Sequence, residues 1–239
     1  MDKITKIKLY IGLFYVIFVC LFLIFLFSKF NLQSITSYEF IKENQNYFLE
    51  LRQSNFFLLA MSFILFTIVW VLAAGFGSPV AILAGFIFGK WYGLFFLIIG
   101  LSIGSTSLYI FSNYFLKEYI KKKFLNKYSQ LEQKFKKSEF FYLLIYRFIG
   151  GIPFAISNIL PCMFNVKPSN FFWATFLGLM PQLFLVCSLG SGLDMIIKNN
   201  SKPPSMLELI YSPDIYIPII IFICLVAFTI LLRKKFYKK

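Results

Sequence analysis

The chain has 239 residues, of which 59% are hydrophobic, 21% aromatic and only 14% charged, with a net charge of +14. Soluble domains carry about 25% charged residues, so a soluble globular class is excluded and an integral membrane protein is indicated. Histidine is absent, which excludes Ser-His-Asp and Cys-His catalysis and any histidine-ligated metal.

The basic charge does not point to nucleic acid, because the lysines sit in short loops and at the two ends, as the positive-inside rule places them. Lys3, Lys6 and Lys8 precede an uncharged stretch from Leu9 to Ser28. That stretch is long for a signal-peptide core and lacks a small-residue cleavage pattern, so it reads as a first transmembrane helix. Residues 29–52 hold three basic and three acidic side chains and read as an external loop.

The next run, Gln53 to Gly89, has 37 residues without a charge and is interrupted by Gly75-Phe76-Gly77-Ser78-Pro79. One crossing of a ~30 Å core needs roughly 20 residues. With 91–116 as one full span from the external side to a cytoplasmic 117–139, parity requires the run to contribute an even number of crossings, a re-entrant hairpin broken at Gly77 and Pro79 or two short spans. Residues 117–139 contain eight lysines against Glu118, Glu132 and Glu139 and read as cytoplasmic. A second short apolar stretch, 140–166, carries Gly150-Gly151-Ile152-Pro153 near its middle. It predicts a second hairpin, broken at Gly151 and Pro153, with a span over 168–193. Residues 194–214 are nearly balanced in charge and external, with Asp194 a solvated loop acid; 215–232 is a last span before the basic end Arg233 to Lys239.

The expected architecture is thus an all-α integral membrane protein with about four transmembrane helices and two re-entrant hairpins in an inverted repeat. Its parts are residues 1–55, a core over 56–192, and 193–239, with both termini cytoplasmic. The inverted plan is common among transporters, whose broken helices mark the substrate site.

Twelve of the 13 glycines lie between Gly75 and Gly192. Gly85, Gly89 and Gly93 form a GxxxGxxxG series, which serves close helix packing or approach of a head group to the backbone. Arg147 is the sole arginine between Arg52 and Arg233. An intramembrane charge is functional by default, and a guanidinium fork suits phosphate; a side chain snorkelling to the interface is the alternative. Asn158 either satisfies backbone freed by Pro153 and Pro161 or contacts a head group. Cys20, Cys162, Cys187 and Cys224 lie in apolar segments without CxxC spacing and read as small buried hydrophobes. No metal or other cofactor is implied, and no nucleophile-base pair indicates an enzyme.

The stretch from Arg147 through Pro153 and Asn158 to Phe171-Phe172, Gly178 and Pro181 resembles the second hairpin and following helix of the DedA/VTT-domain superfamily. Pro79, Gly85, Phe88-Gly89, Gly93, Gly100 and Gly104 resemble the first. The similarity covers about residues 56–192 and is nearest the SNARE-associated Golgi protein branch. It implies two hairpins facing each other at mid-membrane. It also implies lipid translocation: scrambling of phospholipids in eukaryotic relatives, and flipping of polyprenyl-phosphate or phospholipid carriers in bacterial ones. Proton coupling through hairpin acids is a property of some bacterial members. Here no acid occurs between Glu50 and Glu118, Gly150 replaces a common proline, Cys162 a common glycine and Asn113 a common arginine.

The resulting expectation is a flippase or scramblase of a bacterial cell membrane, lacking the acid that proton coupling would use, whose partners are anionic membrane lipids bound at Arg147 and Asn158. A homo-oligomer is compatible with the chain. A small-solute or ion transporter using the same cavity, and a non-transporting scaffold acting through the lysine-rich 117–139 loop, are the alternatives.

Overall fold

The computed structural model describes residues 3–29, 46–48, 50–118, 120, 138–149 and 151–199, with isolated positions between 211 and 224. Its elements are α1 (Lys3–Lys29), α2 (Phe56–Leu72), α3 (Gly77–Phe115), α4 (Glu139–Ile149), α5 (Phe154–Ile159), a 3-10 turn (Leu160–Phe164) and α6 (Pro168–Asn199). Among the described residues there is no strand. Gly77–Phe115 and Pro168–Leu193 are long and apolar enough to cross a membrane, so the chain is an all-α integral membrane protein.

The first break arises from a helix terminus. The N–H of Ala74 donates to the Val71 carbonyl and that of Gly75 to the Trp70 carbonyl, both at 2.9 Å. These are the two bonds of a Schellman motif, which needs a left-handed residue between them; Ala74 supplies it with φ 60°. Gly75 is required because a Cβ there would lie 2.3 Å from the Trp70 ring. The interruption therefore falls at Ala73–Phe76. Gly77 and Pro79 open α3 instead of breaking a helix, since a proline in the first turn has no intrahelical bond to lose.

A second interruption lies inside α3. Gly89 has φ 78° and ψ 172°, a conformation essentially confined to glycine. It separates a short limb, 77–88, from a long one, 90–115. The GxxxGxxxG series is consequently not one packing stripe. A Cβ at Gly85 would meet the Cys187 carbonyl at 1.9 Å, one at Gly93 would meet the Ala84 carbonyl at 2.4 Å, and Gly89 faces open space.

The hairpins close on themselves at opposite ends of the long limb. Phe56, at the start of α2, makes ring contacts with Phe88 (6.1 Å), Tyr92 (5.9 Å) and Phe96 (5.8 Å). In the second hairpin, Glu139 Oε2 accepts from the Lys167 N–H at 3.2 Å and from Asn170 Nδ2 at 2.9 Å. The exit of that hairpin, Asn165, accepts from Lys117 Nζ at 2.8 Å and Asn113 Nδ2 at 3.4 Å. One hairpin thus enters beside the start of limb 90–115 and the other beside its end.

The repeats match in detail. Each hairpin turn holds a positive-φ residue, Ala74 or Gly151, and each exit another, Gly89 or Asn165. Each first limb is seated against glycine on the following span. Added Cβ atoms at Gly100 and Gly104 would come within 3 Å of Thr67 and Val71, and one at Gly178 within 3 Å of Arg147. Cys162 and Cys187 are buried as expected, whereas Cys20 and Cys224 are exposed on apolar helical surface that lipid would cover. The α6 helix continues to Asn199, beyond the expected end of its span. The Asp194 side chain, the 117–139 lysine cluster beyond Ile120, most of the two loops expected to be external and most of the expected final span lie outside the described residues.

Candidate functional site

The two hairpin turns face one another across a cavity of about 260 Å³. Phe76, Gly77 and Ser78 contribute from the first turn; Gly151, Ile152 and Phe154 contribute from the second. Leu101 of α3 and Leu179 and Leu183 of α6 form apolar wall. Pro153 caps the start of α5, as its missing N–H permits. Gly85, Gly89 and Gly93 are not among the lining residues, and Gly85 and Gly93 sit against backbone too closely for a Cβ.

Arg147 stands in the last turn of α4 on the face shared with buried Leu143. Gly178 lets α6 approach so closely that its own Cβ, if present, would lie 2.6 Å from Arg147 Cβ. The side chain runs inward between helices and is 3% exposed; it does not extend outward as a snorkelling anchor would. Its Nε donates to Thr175 Oγ1 at 3.1 Å, Nη1 to Ser157 Oγ at 2.7 Å and Nη2 to Asn158 Oδ1 at 2.6 Å. Ser157 gives its own hydrogen to the Phe154 carbonyl at 2.7 Å, which leaves its oxygen to accept. Phe171 stacks 4.9 Å beneath the guanidinium carbon, a cation–π contact.

All three acceptors are neutral. Among the described residues no carboxylate pairs with Arg147, and no Asp or Glu lines the cavity. A guanidinium has five N–H donors, so two remain after these three bonds. Arg147 is itself a lining residue. The arrangement is that of a positioned cation at the edge of an apolar chamber, suited to an oxyanion.

Asn158 is fully buried and does not line the cavity. It lies behind the guanidinium, with Nδ2 left without a partner among the described residues. Sequence reasoning missed Ser157, Thr175 and Gln182. Gln182 Nε2 donates to the Arg147 backbone carbonyl at 2.6 Å, satisfying an orphan group at the end of α4, and Gln182 also lines the cavity. The available signal was a glutamine directly after Pro181 in an uncharged span.

The profile of the VTT domain matches residues 76–192, from the first hairpin turn almost to the end of the α6 crossing. "Uncharacterized protein YqeD" of Bacillus subtilis is 27% identical over 115 residues, which are 47% of this chain and 55% of that one. "Transmembrane protein 41 homolog" of Caenorhabditis elegans is 26% identical over 136 residues, 54% of this chain and 55% of that one. The aligned part spans about half the length of these curated relatives. No solved structure matches the chain at a significant level. The cavity-lining turns fall within the matched segment, and residues 76–192 of this integral membrane protein are a VTT domain.

Proposed function

We propose that the protein moves a lipid bearing an anionic phosphate between leaflets, with the head group passing through the cavity and the acyl chains remaining in the bilayer. The observation that carries this reading is Arg147: 3% exposed, on the cavity wall, and bonded among the described residues only to neutral oxygens. Burying a charge without a counter-ion costs several kcal/mol, and a phosphate oxygen would offset much of that cost. A volume of about 260 Å³ accommodates a head group but not acyl chains. Among the described residues no acid lines the cavity, which favours energy-independent movement over proton coupling. In this reading Arg147 binds the phosphate and Asn158 positions the guanidinium from behind. The protein works in the cell membrane with both termini in the cytoplasm.

The test is leaflet exchange of fluorescent phospholipid in proteoliposomes, normalised to folded protein. Arg147→Ala and Arg147→Gln should lose at least about tenfold, from a charged hydrogen bond worth roughly 1.5–3 kcal/mol. Arg147→Lys should retain part of the activity, because charge survives without the planar fork. Wild-type exchange by folded Arg147→Ala would end the case for Arg147 as a phosphate ligand.

A further inference from the structure

We infer that Gln182 reads the alcohol attached to the lipid phosphate, and that the preferred substrate is a phosphodiester lipid whose head group carries a free hydroxyl. This inference rests on Arg147 being the phosphate ligand. The Arg147 carbonyl can only accept, so the amide of Gln182 must present Nε2 to it, as the 2.6 Å bond shows. The Gln182 oxygen is thereby turned away from that bond. It makes no hydrogen bond among the described residues, and its residue forms part of the cavity wall.

Two neighbouring acceptors are already used. Ser157 Oγ and Asn158 Oδ1 both receive Arg147. An amide oxygen and a phosphate oxygen are both acceptors and gain nothing from each other. What satisfies Gln182 is a donor beside the phosphate, namely the substituent on it. That donor is a hydroxyl in preference to an ammonium, because Arg147 already places a positive charge here and no lining carboxylate offsets a second one. The site therefore selects by one neutral hydrogen bond in addition to the charge contact.

The experiment compares acyl-labelled phosphatidylglycerol with acyl-labelled phosphatidylethanol in proteoliposomes. The two carry the same charge, and only the first has head-group hydroxyls. Wild type should exchange phosphatidylglycerol roughly fivefold faster, the effect of one net hydrogen bond; the greater bulk of glycerol would act in the opposite direction. Gln182→Leu and the length-preserving Gln182→Met should bring the ratio to about one, whatever happens to the absolute rate. A purely structural role for Gln182 would slow both lipids and leave the ratio intact, which overturns the inference. So would equal rates in wild type. Arg147→Ala should slow both lipids alike; if it slows neither, the phosphate reading fails first. Absence of exchange for both lipids in wild type would overturn that reading and this inference together.

Discussion

Arg147 shows how a single side chain can be visible in sequence while its surroundings are not. A lone arginine in an apolar run stands out, and so does an amide eleven residues later. Ser157 and Thr175 do not, because hydroxyls are ordinary in packed membrane helices, where they bond the preceding turn. Here both accept from the guanidinium, Ser157 while still bonding the Phe154 carbonyl of its own turn, a contact made only when three helices meet. Thr175→Val removes the Nε acceptor while keeping the shape. It should lower stability by about 1–3 kcal/mol, the cost of stranding a buried donor, measured as denaturant or thermal unfolding in detergent.

The glycines separate by the same logic. Gly85→Ala places a Cβ against the Cys187 carbonyl; backbone cannot rotate away as a side chain can, so helices must part at about 1–3 kcal/mol. Gly89→Ala meets nothing in space, yet should cost about 1–3 kcal/mol through its backbone conformation alone. Gly77→Ala is the control. It has open space and a helical position, so the expected change stays within about 0.5 kcal/mol. Melting temperatures of the three variants would separate contact from conformation.

Among the elements, the hairpins were legible and the nature of their breaks was only half so. Length and charge parity required each apolar stretch to return to its own side, and the ring contacts of Phe56 and the bonds of Glu139 place the ends of each hairpin together. The paired glycine-x-proline motifs pointed to the right neighbourhoods. Their roles differ, however: Pro153 caps α5 immediately after the second break, whereas Pro79 lies inside the first turn of α3. The shared feature is left-handed backbone, and Ala74 gave no sign of it because alanine ordinarily avoids that region. Ala74→Gly should therefore stabilise the protein by about 1 kcal/mol, read as a higher melting temperature. An unchanged or lower value would argue against the Schellman terminus at the first hairpin turn.

For the whole molecule, sidedness follows from which ends meet. The beginning of α1 lies beside the end of α3: Gly12 faces the Phe115 ring, and the Tyr15 and Phe111 rings lie 4.2 Å apart at a tilt. Tyr15 also donates to the Leu72 carbonyl at the first hairpin turn. Lys117, Asn165 and Glu139 gather at that same end, while Phe56 and Tyr92 mark the other. The start of α1 and Lys117 thus lie at one end, and we propose that this end is cytoplasmic, as the positive-inside rule would place it. Single cysteines on a cysteine-free background test this arrangement. Positions 117 and 138 should react with an impermeant maleimide from the side of the N-terminus, and position 55 from the opposite side. Between 55 and 117 the chain then makes one net crossing, although its apolar length suffices for more, because α2 and limb 77–88 cancel. Labelling of 55 and 138 from the same side would replace the first hairpin with an odd number of spans. It would also remove the opposed turns that enclose Arg147, so the lipid path would lose its structural basis along with the topology.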